Sequence, residues 1–72
     1  MSYSTDLLKM RRLAQTGMAR TIREAAGLSL TEVARSAGVD RTTVFRWEHA
    51  ERRPSGDAAI RYLRMLEELQ RA

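Results

Sequence analysis

A chain of 72 residues with no cysteine makes one domain with a small core, no disulfide to staple it and no thiolate zinc site. Thirteen Lys and Arg against nine Asp and Glu leave a net charge of +4, a balance that favours a polyanionic partner. No run nears the roughly 18 apolar residues that span a bilayer, and Lys9, Arg11 and Arg12 interrupt the N-terminus before a secretory leader's apolar stretch is built.

Residues 1–4 are expected to be a loose tail. From about Thr5 to Ala26 the apolar positions keep helical phase, with Leu7, Ala14, Met18 and Ala25 on one line and Leu8, Met10, Leu13 and Ile22 beside it. Gly17 interrupts this stretch without shifting its phase, so the segment is one long helix or two collinear ones broken around Gln15-Thr16-Gly17. A glycine inside a helix costs ~1 kcal/mol relative to Ala. Gly27 is a helix stop. Ser29-Leu-Thr-Glu32 is a capping box that opens a helix ending near Ala37, with Gly38 as the next stop. Asp40 caps a helix that carries Arg41 to His49. Glu51-Arg-Arg-Pro-Ser-Gly56 is a polar turn, because Pro54 forbids a continuing helix. Asp57 or Ser55 caps a last helix that runs to about Gln70. The fold class is all-α: a compact bundle of four to five helices with no strand candidate.

Spacing makes the middle of the chain a helix-turn-helix, residues 29–49. Ala34 is small where two helices cross closely. Gly38 turns the chain sharply with positive φ. Val44 and Trp47 face back into the angle between the helices, opposite Val33 and Ala37. Small, turn and apolar residues thus fall where a tight bihelical corner needs them.

Over roughly Gly17 to Leu66 the chain resembles the Xre/Cro-like family of phage-repressor helix-turn-helix proteins. The resemblance rests on Ile22-Arg-Glu-Ala-Ala-Gly-Leu-Ser29, on Val33-Ala34-x-x-Ala37-Gly-Val39 and on Thr43-Val-Phe-Arg-Trp-Glu48 followed by Arg53-Pro-Ser55. It implies a lambda-repressor-like bundle that binds double-stranded operator DNA, usually as a dimer on a palindrome. It also implies a structural ion pair between Arg23 and Glu48, and a backbone-touching loop at Arg53-Pro-Ser55. The chain departs from the family in two places. Leu30 stands where the family often has a phosphate-touching Gln, so Ser29, Thr31 or backbone N–H groups must make that contact. Only one helix follows the turn, so the family's fifth helix is missing. The division expected is an N-terminal helical extension over 1–14 and a DNA-binding domain over 15–72, with the C-terminal helix at 57–70.

Arg41, Thr42 and Arg46 are the expected base readers. Arg grips guanine O6 and N7 with two parallel hydrogen bonds, and the Thr methyl suits a thymine methyl. Ser29, Thr31, Arg35, Thr43, Arg52 and Arg53 are expected on the DNA backbone, where contacts set register without specifying sequence. Lys9, Arg11, Arg12 and Arg20 form a second basic cluster that either extends this footprint or is a solvated helix face. On the last helix the apolar arc is wider than a small core needs. Its spare wing, Tyr62, Met65 and Leu69, is expected either to form a homodimer interface or to be covered by Leu7, Leu8 or Met10 of the same chain.

His49 is the only histidine and makes no metal site alone. No nucleophile–base pair, paired carboxylates or phosphate-loop glycine pattern is evident, so neither an enzyme nor a cofactor or small-molecule substrate is expected. The expected function is sequence-specific transcriptional regulation by a repressor of phage, plasmid or antitoxin type, located in the cytoplasm at the nucleoid. The competing reading is a protein-interaction module of the same fold.

Overall fold

The structure, a computed structural model, describes residues 2–71. They form five α-helices: α1 (Tyr3–Gln15), α2 (Met18–Ala25), α3 (Leu30–Ala37), α4 (Arg41–Glu48) and α5 (Gly56–Arg71). Among the described residues there is no strand. The sixteen-residue α5 packs against α1, α2 and α3, while α3 pairs with α4 and α1 touches both α2 and α4. One core results, built from Met10 and Ala14 of α1, Ala19 of α2, Val33, Ala34 and Ala37 of α3, Val44 and Trp47 of α4, and Ala59, Tyr62, Leu63 and Leu66 of α5.

The N-terminal expectations are corrected in two ways. Helix α1 begins at Tyr3 rather than Thr5, because the Ser2 hydroxyl accepts from the Thr5 N–H at 3.1 Å and caps it; of the expected loose tail, only Met1 lies outside the described residues. The helical phase also shifts at Gly17, which takes φ 84° and separates α1 from α2. The buried line runs Met10, Ala14, then Ala19 and Arg23, which leaves Met18 and Ala25 exposed. Helix α1 shares the core of the other four. Asp6, buried, accepts from Arg64 at 2.7 Å, and Lys9 reaches Glu67 at 2.7 Å.

The corner between α3 and α4 follows from local chemistry. Ser29 and Glu32 form a reciprocal capping box, with the Glu32 N–H donating to the Ser29 hydroxyl at 3.0 Å and the Ser29 N–H to the Glu32 carboxylate at 2.9 Å. These bonds hold the Glu32 carboxyl below its usual range, the bond from the Ser29 N–H first. At the other end, the N–H of Val39 returns to the Ala34 carbonyl and that of Gly38 to the Arg35 carbonyl, a double closure that needs the left-handed conformation at Gly38, φ 78°. A side chain there would also meet Arg61, whose Nη2 lies 3.1 Å from the Cβ position. Arg61 donates from Nε to the Ala37 carbonyl at 2.9 Å, so α5 satisfies an orphan carbonyl at the end of α3.

Helix α4 ends with the same double closure: Glu51 N–H to the Arg46 carbonyl and Ala50 N–H to the Trp47 carbonyl. Here Ala50, at φ 56°, holds the left-handed position. That conformation costs a residue with a Cβ roughly 1–2 kcal/mol, and the closing turn retains it.

Candidate nucleic-acid interface

Helix α4 has two chemically distinct faces. Inward, Val44, Trp47 and Glu48 are buried. Outward, Arg41, Thr42, Phe45 and Arg46 are exposed, and Thr43 is half-buried. The Asp40 carboxylate accepts from the Thr43 N–H at 2.8 Å and fixes the helix start. Hydrogen bonding by Thr43, with smaller help from the Arg46 and Arg52 charges, holds the Asp40 carboxyl below its usual range. The first turn of α4 is thus rigid, and its outer side chains are open.

Behind α4 lies a buried ionic cluster. Arg23 and Glu48 are joined twice, Nε to Oε2 at 2.7 Å and Nη2 to Oε1 at 2.9 Å. Arg23 also donates from Nη1 to the Leu28 carbonyl at 2.8 Å, and the Tyr62 hydroxyl donates to Glu48 Oε2 at 2.6 Å. Arg23 and Glu48 are 7% and 6% exposed, so nearly every polar atom must find a partner inside, and this fork supplies them. The Glu48 hydrogen bond raises the Arg23 pKa above its usual value. Burial, and then Glu48, pushes the Tyr62 phenol up, which keeps it a donor. The cluster ties α2, α4 and α5 together and sets how α4 stands on the bundle.

Tyr62 therefore corrects the spare-wing expectation. It is fully buried, stacked near Trp47 with ring centroids 6.3 Å apart, and offers nothing to a second chain. Its aromatic ring belongs to the core because its hydroxyl has a buried acceptor. Met65 and Leu69 are half-buried, Met65 against the core. Of the N-terminal residues expected near them, Met10 is fully buried within the same chain and Leu8 is 64% exposed.

The cations divide into paired and unpaired. Lys9 pairs with Glu67, Arg20 with Glu24, Arg23 with Glu48 and Arg64 with both Asp6 and Glu67. Among the described residues, Arg12, Arg35, Arg41, Arg46, Arg52, Arg53, Arg61 and Arg71 are exposed and outside every ion pair. The N-terminal basic cluster is only partly occupied: Lys9 and Arg20 are paired and Arg11 donates from Nε to the Pro54 carbonyl at 2.9 Å, while Arg12 is exposed and in no ion pair among the described residues. Thr31 and Arg35 of α3 share a shallow groove with Asp40 and Arg41 of α4, so the two helices present their polar groups together. Ser29 is exposed, but Glu32 already occupies its N–H; its hydroxyl hydrogen and the N–H groups of Leu30 and Thr31 remain for an anion. Leu30 is half-buried against the core, which explains an apolar residue at that position.

This is the geometry of a helix-turn-helix, and the family model described as Helix-turn-helix matches residues 20–69. The chain belongs to the Xre/Cro-like helix-turn-helix family. Members of this family are DNA-binding regulators. No curated protein and no solved structure gives a significant match to the chain. The family match takes in α3, α4 and nearly all of α2 and α5, and leaves α1 outside it. No helix among the described residues is long and apolar enough to cross a membrane, and none of their His, Asp or Glu side chains cluster as a metal site would require.

Sequence reasoning missed three elements of this site. Arg61 closes the turn from 24 residues away, Tyr62 completes the ionic cluster, and Ala50 carries a left-handed cap. Only the last had a readable signal, a helix end at a polar turn with no glycine in place.

Proposed function

We propose that the protein is a sequence-specific transcriptional repressor that occupies a palindromic operator as a homodimer. The observation that carries this reading is the outward face of α4, where Arg41 and Arg46 stand exposed and outside any ion pair beside Thr42, on a helix anchored from behind. Guanidinium forks of this kind match guanine O6 and N7, and each good pair discriminates by ~1–3 kcal/mol. Ser29, Thr31, Arg35, Thr43, Arg52 and Arg53 then hold the DNA backbone. Residues 15–72 form the DNA-binding unit, to which α1 is an addition that shares its core. Met65 and Leu69, half-buried, with the exposed Leu8 are the apolar residues proposed to meet a second copy. The protein acts in the cytoplasm, at the nucleoid, and needs no cofactor.

One observation favours a second reading. Phe45 is 40% exposed and stacked on His49 at 3.9 Å between centroids, an apolar anchor on the same face of the kind a protein partner takes. Salt separates the two: binding to DNA weakens steeply as salt rises.

Selection of bound sites from random duplexes tests the first reading. Two inverted half-sites about 34 Å apart, one DNA turn, are expected. A single unrepeated half-site would contradict the dimer, and no enriched sequence at all would contradict sequence-specific binding.

A further inference from the structure

Between α1 and the loop joining α4 to α5 lies a pocket that the base-reading face does not use. Its walls include Arg11 and Ala14 of α1, Trp47 of α4, and Arg52, Arg53 and Pro54 of the loop. Three guanidinium side chains from two distant parts of the chain meet at one concavity, and no carboxylate lines it. Arg11 is half-buried and held in place by its Nε bond to the Pro54 carbonyl, which leaves its terminal nitrogens to other partners. Arg52 and Arg53 are exposed and in no ion pair among the described residues.

Trp47 lines the same concavity. The residue is 2% exposed, but its indole N–H keeps some access to solvent and donates to no group among the described residues. A group with several acceptor oxygens and negative charge would satisfy the indole N–H and the guanidinium nitrogens together. Phosphate has that shape and matches the arginine fork.

We propose that this pocket seats one phosphate group, held by Arg11 with Arg52, Arg53 and the indole N–H of Trp47. The inference rests on the DNA-binding reading for the source of the phosphate, a backbone phosphate beside the bases that α4 reads. Helix α1, outside the family match, then adds a contact to the DNA footprint through Arg11. Free phosphate offers the same chemistry, and the test separates the two sources.

Trp47 is the only tryptophan, so its indole N–H gives one resolvable NMR resonance from a residue that lines the pocket. The full chain is titrated with a duplex carrying its selected site, and separately with inorganic phosphate. Wild type is compared with Arg11→Gln and Arg41→Ala, and a thermal melt of each variant checks its fold. The duplex is expected to shift the indole resonance. Arg11→Gln is expected to weaken every duplex alike, about fivefold at about 0.15 M salt, and to lower the salt slope by about one. If Arg11→Gln melts early, Arg11→Lys keeps the charge without the fork; it is expected to keep the salt slope and lose part of the indole shift. Unchanged affinity and slope in Arg11→Gln, while Arg41→Ala loses base preference, would overturn the seat and leave the DNA-binding reading standing. An indole shift with inorganic phosphate but not with duplex would overturn the backbone source. No shift with either ligand would overturn the seat altogether.

Discussion

The two faces of α4 use one residue type in opposite ways. Behind the helix, the Arg23 guanidinium is forked onto Glu48, capped by Tyr62 and closed to water. In front, the Arg41 and Arg46 guanidiniums are open to solvent and outside any ion pair among the described residues. A buried charge is costly unless every partner is present, so the inner pair fixes where the helix stands. An exposed charge costs little to leave free, so the outer pair is available to a partner. The comparison shows how a domain this small holds a rigid helix: the inner face carries stability and leaves the outer face open for the recognition proposed above, with Asp40 capping the helix that joins them.

The largest expected effect breaks the inner face. Glu48→Gln removes the charge opposite Arg23 and leaves that guanidinium buried without its counterion, a loss of ~3–5 kcal/mol. Urea unfolding would show it as a lower midpoint at unchanged slope. A loss under about 0.5 kcal/mol, the range of plain surface changes, would mean the pair does not fix α4. On the outer face, Arg46→Ala is expected to leave the urea midpoint within ~0.5 kcal/mol and to cost ~1–3 kcal/mol in binding the selected site. Fluorescence anisotropy on the selected and a scrambled duplex checks it; equal losses on both would make Arg46 a backbone contact.

Smaller is the effect of relieving the cap between these faces and the loop. Ala50→Gly removes a left-handed strain of roughly 1–2 kcal/mol and adds chain entropy worth roughly 0.5–1 kcal/mol to the unfolded state. The net expectation is stabilisation by about 0.5 kcal/mol, read as a melting temperature a few degrees higher. A lower melting temperature would contradict the strain assigned to Ala50. The smallest effect is acid loosening. Asp40, Glu32 and Glu67 carboxyls all lie below their usual range, from Thr43, from Ser29, and from Lys9 ahead of Arg64. Folded values below unfolded ones give stability that is fully present above the ordinary carboxylate pKa, about 4. That stability is lost as pH falls from there through the folded values. Thermal melts are expected to be flat from neutral pH to about pH 5 and to decline below about pH 4; a rise on acidification would contradict the capping bonds.

What was legible in the sequence was what local chemistry determines. The Ser29 box, the Asp40 cap, the Gly38 turn and the inward Val44 and Trp47 act within a few residues of one another, and every helical segment left its pattern, although apolar spacing did not decide between one helix and two across Gly17. Of the pairings made across the fold, Arg23 with Glu48 was expected from the family resemblance, and the others left no such trace. Tyr62 read as spare apolar surface because its acceptor, Glu48, sits fourteen residues away on another helix. Asp6 and Arg64 meet across 58 residues, and Arg61 reaches the α3 terminus only once α5 is packed. The phase through Gly17 was misread because a left-handed residue rotates everything after it, and apolar spacing alone does not reveal that rotation. Among the outward residues, type and exposure were readable, whereas the free or paired state of each cation emerged only from the three-dimensional arrangement.

The central claim is that the outer face of α4 reads base edges while the loop grips the backbone. The most direct measurement compares Arg41→Ala with Arg53→Ala on the selected duplex and on a set with single base-pair changes. Arg41→Ala is expected to lose discrimination at one base pair, ~1–3 kcal/mol, while Arg53→Ala weakens all duplexes alike and lowers the salt slope by about one. A uniform loss in Arg41→Ala, or unchanged DNA binding in both variants, would contradict the account.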